Sequence, residues 1–128
     1  MRKIVLSVQN GLLAESISRM LEESSEFLIY RSVAGSRNSL AMDCAMYGAE
    51  IVLMEVSPGR GLSLQTRLEE KKQIRGTNPE CKVVLLCDEN TSPELAREVA
   101  LAKKDGCVDA FFYSSVTGSY LVAALAAL

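Results

Sequence analysis

One carboxylate stands near the end of a short apolar run in the middle of the chain. The run covers residues 51–56 and reads I-V-L-M-E-V, so its acid is Glu55, and the turn residues Ser57, Pro58 and Gly59 follow it. A run this short and this apolar predicts a strand buried on both faces, as in a parallel sheet. Glu55 would then lie at the carboxyl edge of that sheet, where open α/β folds bind ligands. The acid is therefore either a working group or the remnant of one.

The composition excludes several kinds of chemistry. The 128 residues are 48% hydrophobic and carry a formal net charge of -2, from 14 basic and 16 acidic residues. This length suits one domain over 1–128, and this charge does not favour nucleic acid or an anionic membrane as a partner. The chain has no histidine, which removes the usual general base and metal ligand. We expect no bound metal, no cofactor and no direct nucleic-acid binding by this segment.

The four cysteines and the apolar stretches near both ends indicate a cytoplasmic protein. Cys44, Cys81, Cys87 and Cys107 show no C-x-x-C spacing and mostly fall in apolar runs, which is typical of buried thiols in reducing compartments. The apolar residues after the first three positions are too few for a signal-peptide core. Serine, threonine and glycine interrupt the uncharged tail over 110–128, so no transmembrane helix is predicted.

Turn signals divide the chain into five strand-helix units. Apolar runs predict strands over 4–8, 27–33, 51–56, 82–87 and 109–113. A helix follows each strand, and the predicted helix starts lie at or just after Gly11, Ser36, Leu62, Ser92 and Thr117. The second helix is predicted to end near Gly48, and the charged stretch over 69–72 to be a solvated face of the third helix with local ion pairs. Such alternation with short connections implies right-handed crossovers and a parallel five-stranded sheet between two helical layers.

Three stretches of the chain resemble the receiver domain of two-component response regulators. They are E-I-V-L-M-E-V-S-P-G-R-G, K-V-V-L-L-C-D-E-N and D-A-F-F-Y-S-S-V-T-G-S-Y-L. The opening N-G-L-L-A-E-S-I-S-R-M-L is most similar to the receivers of NarL-type transcriptional regulators, and the resemblance covers essentially the whole chain. The resemblance implies a doubly wound, flavodoxin-like (CheY-like) α/β fold with strand order 2-1-3-4-5.

A working receiver transfers a phosphoryl group from a phosphohistidine to an aspartate that ends the third strand. An acidic pair after the first strand helps this aspartate to hold Mg²⁺, while a Ser or Thr ending the fourth strand and a Lys ending the fifth bind the phosphoryl oxygens. Every one of these positions is altered here. The acidic pair falls on Val8 and Gln9, or on Gln9 and Asn10 if the register slips by one; the acceptor is Glu55, the hydroxyl is Cys87 and the lysine is Ser114.

These changes predict a degenerate receiver, or pseudo-receiver, that keeps the fold and is not an enzyme. The extra methylene of Glu55 displaces its carboxylate by about 1.5 Å from where an aspartate would act. No acidic pair is left for Mg²⁺, and the Cys87 thiol is a weak hydrogen-bond donor. Three alternatives to a leftover acid stay open. Glu55 is a partial mimic of phosphoaspartate, the chain is still phosphorylated at Glu55 or Ser57, or the vacated pocket above Val8, Glu55, Cys87 and Ser114 senses a small molecule.

Asp88 and Phe111 are two further candidates for a functional role. Asp88 and Glu55 could together form a weak cation site, or Asp88 is an ordinary acid of a helix-entry loop. Phe111 falls where receivers carry an aromatic switch residue that rotates inward on activation, or it is an ordinary strand aromatic.

The last helix carries no charged residue and is apolar all round, a pattern typical of a helix covered on more than one side. In receivers, the fourth helix, the fifth strand and the last helix form the dimerisation and output face. We therefore expect this helix to contact a second copy or an attached output domain. The rival explanation is that the sequence is cut in mid-helix from a longer regulator, and both can hold. The missing part would then be a helix-turn-helix DNA-binding domain. The predicted partner-facing residues are Tyr120, Leu121, Ala124, Leu125 and Leu128.

Overall fold

Five strands and five helices alternate along residues 1–33, 39–59 and 61–128, the part of the chain that the computed structural model describes. The strands are β1 (Arg2–Ser7), β2 (Phe27–Arg31), β3 (Ile51–Val56), β4 (Lys82–Cys87) and β5 (Ala110–Tyr113). The helices are α1 (Gly11–Glu23), α2 (Leu40–Tyr47), α3 (Leu64–Thr77), α4 (Pro93–Lys104) and α5 (Gly118–Ala126). The predicted alternation of strands and helices is confirmed.

The strands form one parallel sheet in the order β2-β1-β3-β4-β5. In its centre, Leu53 of β3 is opposite Leu6 of β1 and Val84 of β4. Because the carboxyl ends of parallel strands meet at one edge of a sheet, the ends of β1, β3, β4 and β5 lie side by side. The predicted flavodoxin-like fold with strand order 2-1-3-4-5 is confirmed.

The two faces of the sheet bury separate hydrophobic clusters, because successive side chains of a strand point to opposite faces. On one face, Val52 and Met54 pack in a cluster with Cys44, Ile74 and Val99 of α2, α3 and α4. On the other face, β3 residues pack with residues of α1 and α5, and this cluster includes Ile51, Leu53, Ile17, Leu21, Leu121 and Leu125. The sheet is therefore the middle of three layers, as predicted.

Side-chain caps determine where the helices begin. Ser92 and Thr117 are the N-caps of α4 and α5, as predicted. The predicted α2 cap, Ser36, lies outside the described residues. The N-cap of α2 is Ser39, whose Oγ accepts a hydrogen bond from the Met42 N–H at 3.2 Å. Helix α3 begins at residue 64 instead of 62, and β1 and β2 end at residues 7 and 31 instead of 8 and 33.

Candidate functional site

Glu55 lies near the carboxyl end of β3, and its side chain reaches the loop that follows the neighbouring strand β1. The Glu55 Oε1 atom accepts a hydrogen bond from the Gln9 backbone N–H at 2.8 Å and a longer one from the Asn10 N–H at 3.4 Å. Glu55 therefore links the end of β3 to the loop after β1, and the sequence predicted a site at both of these segments.

The two amides that bind Glu55 lie at the start of α1. Asn10 is the N-cap of this helix, and its Oδ1 accepts a hydrogen bond from the Leu13 N–H at 3.1 Å. The N-terminal end of a helix carries unsatisfied N–H groups and a partial positive charge, so it stabilises an anion. A carboxylate oxygen that accepts hydrogen bonds is less available for attack as a nucleophile. Glu55 thus anchors the β1–α1 loop, at the place where a working receiver has its acidic pair.

A buried arginine that the sequence analysis did not single out joins the same strand ends to α3. Arg67 is only 2% exposed. Its Nε donates to the Glu55 carbonyl oxygen at 2.8 Å, and its Nη1 and Nη2 donate to the Ser7 hydroxyl and carbonyl oxygens at 2.9 Å each. Nη1 also donates to Glu70 Oε1 at 3.0 Å. A guanidinium makes several hydrogen bonds at fixed angles, which a lysine cannot. Arg67 therefore holds the ends of β1 and β3 at a fixed separation from α3.

The position of Arg67 along its helix is the signal that could have identified it. It lies seven residues before Ile74, the other buried residue of α3, and seven residues are close to two helical turns. The charge therefore falls on the buried stripe of the helix. The prediction of a solvated face over 69–72 is confirmed for the exposed Glu69–Lys72 ion pair of 3.7 Å. Glu70 also makes a local ion pair, with Arg67 three residues before it, but its side chain is half-buried instead of fully solvated.

Cys87 and Ser114 lie next to each other at the ends of β4 and β5. The Ser114 N–H donates to the Cys87 carbonyl oxygen at 2.9 Å. The Cys87 side chain is buried, and this burial, together with the nearby Glu89 and Asp88 carboxylates, raises the pKa of its thiol. A protonated thiol is a weak hydrogen-bond donor, and a serine hydroxyl is uncharged. These two positions would bind phosphoryl oxygens in a working receiver, and here neither supplies a cation.

Asp88 organises the loop between β4 and α4. Its Oδ1 accepts a hydrogen bond from the Asn90 N–H at 3.0 Å, and its Oδ2 accepts one from the Thr91 hydroxyl at 2.8 Å. The Thr91 hydroxyl is the main reason that the pKa of Asp88 is lowered, and the Asn90 amide adds to the effect. Within 1–33, 39–59 and 61–128, no group of three or more His, Cys, Asp or Glu residues could hold a metal ion. A weak cation site at Glu55 and Asp88 stays a prediction.

Glu55, Cys87, Asp88 and Ser114 line one cleft of about 480 Å³, together with Asn10. We call this cavity the Glu55 cleft. It lies between the start of α1, the end of β3 and the β4–α4 loop. The structure thus brings most of the predicted site residues into a single cavity.

Val8 does not belong to the Glu55 cleft. Its side chain is buried and lines a different cleft, together with Gln9, Leu40 of α2 and Arg67 of α3. The prediction that Val8 lines the same pocket as Cys87 and Ser114 is therefore wrong. The reason is that Val8 faces the α2 and α3 side of the sheet edge, whereas the Glu55 cleft opens toward α1 and α4.

No protein-family model and no curated protein sequence matches the chain. Solved structures do match it over nearly its whole length. The CheY-like protein tadZ of Pseudomonas aeruginosa has a TM-score of 0.75 at 14% identity, over 99% of this chain and 98% of that one. The BeF3-activated receiver domain of Klebsiella pneumoniae RstA has a TM-score of 0.72 at 16% identity, over 98% and 97% of the two chains. A LuxR-family DNA-binding response regulator of Staphylococcus aureus has a TM-score of 0.68 at 14% identity, over 99% and 98%. The chain has the fold of CheY-like receiver domains.

Within this receiver fold, the predicted partner-facing residues of α5 differ in their burial. Tyr120 is 62% exposed, whereas Leu121 and Leu125 are 1% and 0% exposed. Ala124 and Leu128 are half-buried and pack against the same core cluster. The prediction that Leu121 and Leu125 face a partner is wrong, because these two leucines form the stripe with which α5 covers the sheet.

Few large apolar side chains are exposed on the face formed by α4, β5 and α5. Leu101 of α4 is 57% exposed, so it and Tyr120 are the large apolar side chains that these two helices expose. Phe111 of β5 is half-buried against the core cluster beneath α4, and its ring lies edge-on to that of Tyr113 with centroids 5.4 Å apart. A switch role for Phe111 in this receiver fold stays a prediction.

The cysteines and the helices bear on two further expectations. Cys44, Cys81 and Cys87 are buried free thiols, as predicted, and Cys107 is a half-buried one. In the ranges that the structure describes, no helix has the length and apolar character needed to cross a membrane.

Proposed function

We propose that the chain is a pseudo-receiver, a signalling domain that does not take up a phosphoryl group. The observation that carries this proposal is the binding of Glu55 Oε1 by the Gln9 and Asn10 amides at the start of α1. A phosphoacceptor needs a carboxylate oxygen aimed at phosphorus in line with the leaving group, and a misplacement of about 1 Å can cost about 100-fold in rate. The geometry of Glu55 suits a structural anchor better than a nucleophile.

The neighbouring residues support the same proposal. Phosphoryl transfer depends on cations that neutralise the charge of the transferred group. Gln9 and Asn10 supply no carboxylate for Mg²⁺, and Cys87 and Ser114 supply no positive charge. Arg67, a nearby cation among the described residues, makes four hydrogen bonds to strand ends and to α3, and it lines the other cleft. It is therefore a poor substitute for the missing lysine.

The proposed output is the regulation of a second copy or of an attached domain through the α4–β5–α5 face, in the cytoplasm. One structural neighbour is a DNA-binding response regulator of the LuxR family, which supports a NarL-type transcriptional output. The contact would centre on the exposed Leu101 and Tyr120 instead of the buried leucines of α5. Covering such apolar surface favours association.

Incubation with Mg²⁺ and a small phosphodonor, acetyl phosphate or phosphoramidate, tests the proposal. We expect intact-mass spectrometry to detect no added phosphoryl group, whereas a receiver with its aspartate and acidic pair is labelled in the same mixture. A stable or transient gain of one phosphoryl mass would contradict the proposal. Loss of that gain in Glu55→Gln or in Ser57→Ala would then identify the acceptor and support an atypical but working receiver.

A further inference from the structure

The Glu55 cleft has the size and the mixed walls of a small-molecule site. Its volume of about 480 Å³ falls in the range of about 300–1,000 Å³ that is usual for ligand pockets. One part of its wall is apolar and consists of Leu12, Leu13, Val56, Pro58, Leu86 and Leu95. The other part is polar and includes the acids Glu55 and Asp88 together with Asn10, Ser57, Thr91 and Ser114. A ligand that fills this cleft must therefore have both an apolar and a polar part.

The charge of the cleft decides which polar group fits. Glu55 and Asp88 both line it, and among its described lining residues there is no lysine or arginine. Both hydrogen bonds from the β1–α1 loop go to Glu55 Oε1, and no described residue donates to Oε2. The Thr91 hydroxyl lowers the pKa of Asp88, so this carboxyl stays ionised at neutral pH. Two carboxylates repel an anion and attract a cation.

Leu12 adds exposed apolar surface to the wall of the cleft. It lies in the first turn of α1, lines the cleft and is 78% exposed. Its neighbour Leu13 is instead half-buried against the core. Covering the exposed leucine with an apolar group is favourable, because apolar surface then leaves water. A bare metal ion would leave Leu12 uncovered.

We propose that the Glu55 cleft binds a small organic amine, with its ammonium group at the Glu55 and Asp88 carboxylates and its apolar body against Leu12 and Leu95. This inference rests on the proposed function, because a phosphorylated site would need the same space for Mg²⁺ and the phosphoryl group. It would make the vacated phosphorylation pocket the sensory site of the domain.

Titration of the ¹⁵N-labelled protein with three probes of similar shape tests the proposal. The probes are 2-phenylethylamine, the neutral 2-phenylethanol and the anionic 3-phenylpropionate. We expect the amine to shift the backbone signals of Asn10, Leu13, Ser57 and Thr91, and to bind about 10-fold more tightly than the alcohol. Equal binding of the alcohol or the carboxylate, or shifts confined to other parts of the chain, would overturn the proposal.

Two variants with the same change in net charge sharpen the test. Asp88→Asn keeps the Oδ1 acceptor for the Asn90 amide but removes the charge, so we expect about 10-fold weaker binding of the amine and unchanged binding of the alcohol. Glu22→Gln removes an exposed charge near the other end of α1, and it should change neither the affinity for the amine nor that for the alcohol. Equal affinities of the two variants would overturn the proposal. The spectrum of each variant reports its folding, and Leu12→Ser, an exposed change, should weaken both the amine and the alcohol.

The outcomes separate this inference from the proposed function. Absence of amine binding in a protein that also takes up no phosphoryl group removes the inference and leaves the pseudo-receiver. A phosphoryl gain at Glu55 removes the pseudo-receiver and, with it, the amine site.

Discussion

Replacing the buried Arg67 by methionine should destabilise the fold strongly. The change keeps an apolar stem but removes donors to the carbonyl oxygens of Glu55 and Ser7, the Ser7 hydroxyl and the Glu70 carboxylate. A buried acceptor that loses its donor costs about 1–3 kcal/mol, and removing one partner of a buried ion pair about 3–5 kcal/mol. The Glu70 side chain is 26% exposed and can regain water. We therefore expect the free energy of unfolding to fall by about 3 kcal/mol, at the lower end of the ion-pair range.

Urea unfolding, followed by circular dichroism, measures this loss. Arg67→Lys keeps the charge but not the planar guanidinium. It should therefore recover only about half of the unfolding free energy that Arg67→Met loses. The control is Arg19→Met, because the Arg19–Glu15 ion pair is exposed, with side chains 70% and 66% accessible. Such a pair contributes about 0.5 kcal/mol or less. If Arg67→Met cost no more than Arg19→Met, the strand ends would not depend on the buried guanidinium, and this reasoning would be refuted.

Two further predictions concern a close helix contact and the β4–α4 loop. A Cβ added to Gly118 would overlap Met20 Sδ, so the flexible Met20 side chain would have to shift. Gly118→Ala should therefore cost about 1 kcal/mol of unfolding free energy, and Met20→Ala should remove that cost in a double-mutant cycle; additive losses would contradict the contact. Thr91→Val should raise the pKa of Asp88 toward its ordinary value in a ¹³C NMR titration, since the Thr91 hydroxyl is the main cause of the lowered pKa. Because the pKa of Asp88 is lowered on folding, the stabilisation from this carboxylate is present at neutral pH and is lost as the pH falls through the lowered pKa. An unchanged Asp88 titration in Thr91→Val would count against the hydrogen bond from the Thr91 hydroxyl.

Much of the fold could be predicted because local patterns decide it. The strands predicted over 51–56 and 82–87 have these same bounds in the structure, since uninterrupted apolar runs closed by turn residues mark strands buried on both faces. Gly48 ends α2 where predicted, because its φ of 68° is a left-handed conformation that glycine adopts without steric cost. Glu55 also lies at the predicted sheet edge, because it is the last residue but one of β3.

Features that depend on tertiary contacts could not be predicted. Ser39 is the N-cap of α2, but Ser36 is an equally good N-cap residue by type, so the sequence alone does not single out Ser39. α5 has no charged residue, so its sequence does not distinguish the buried side with Leu121 from the exposed side with Tyr120. The helical spacing of Arg67 from Ile74 could have indicated its burial, but its partners at the ends of β1 and β3 are set by the tertiary fold.

The anchoring of Glu55 can be tested with beryllofluoride, which mimics a phosphoryl group; the Klebsiella pneumoniae receiver is described in its BeF3-activated form. The Gln9 and Asn10 N–H groups donate to Glu55 Oε1, so their signals report directly on the acid. We predict that saturating beryllofluoride with Mg²⁺ leaves both signals unchanged in ¹H–¹⁵N spectra. Displacement of both signals, abolished by Glu55→Gln, would show that Glu55 is a working acceptor and would contradict the pseudo-receiver.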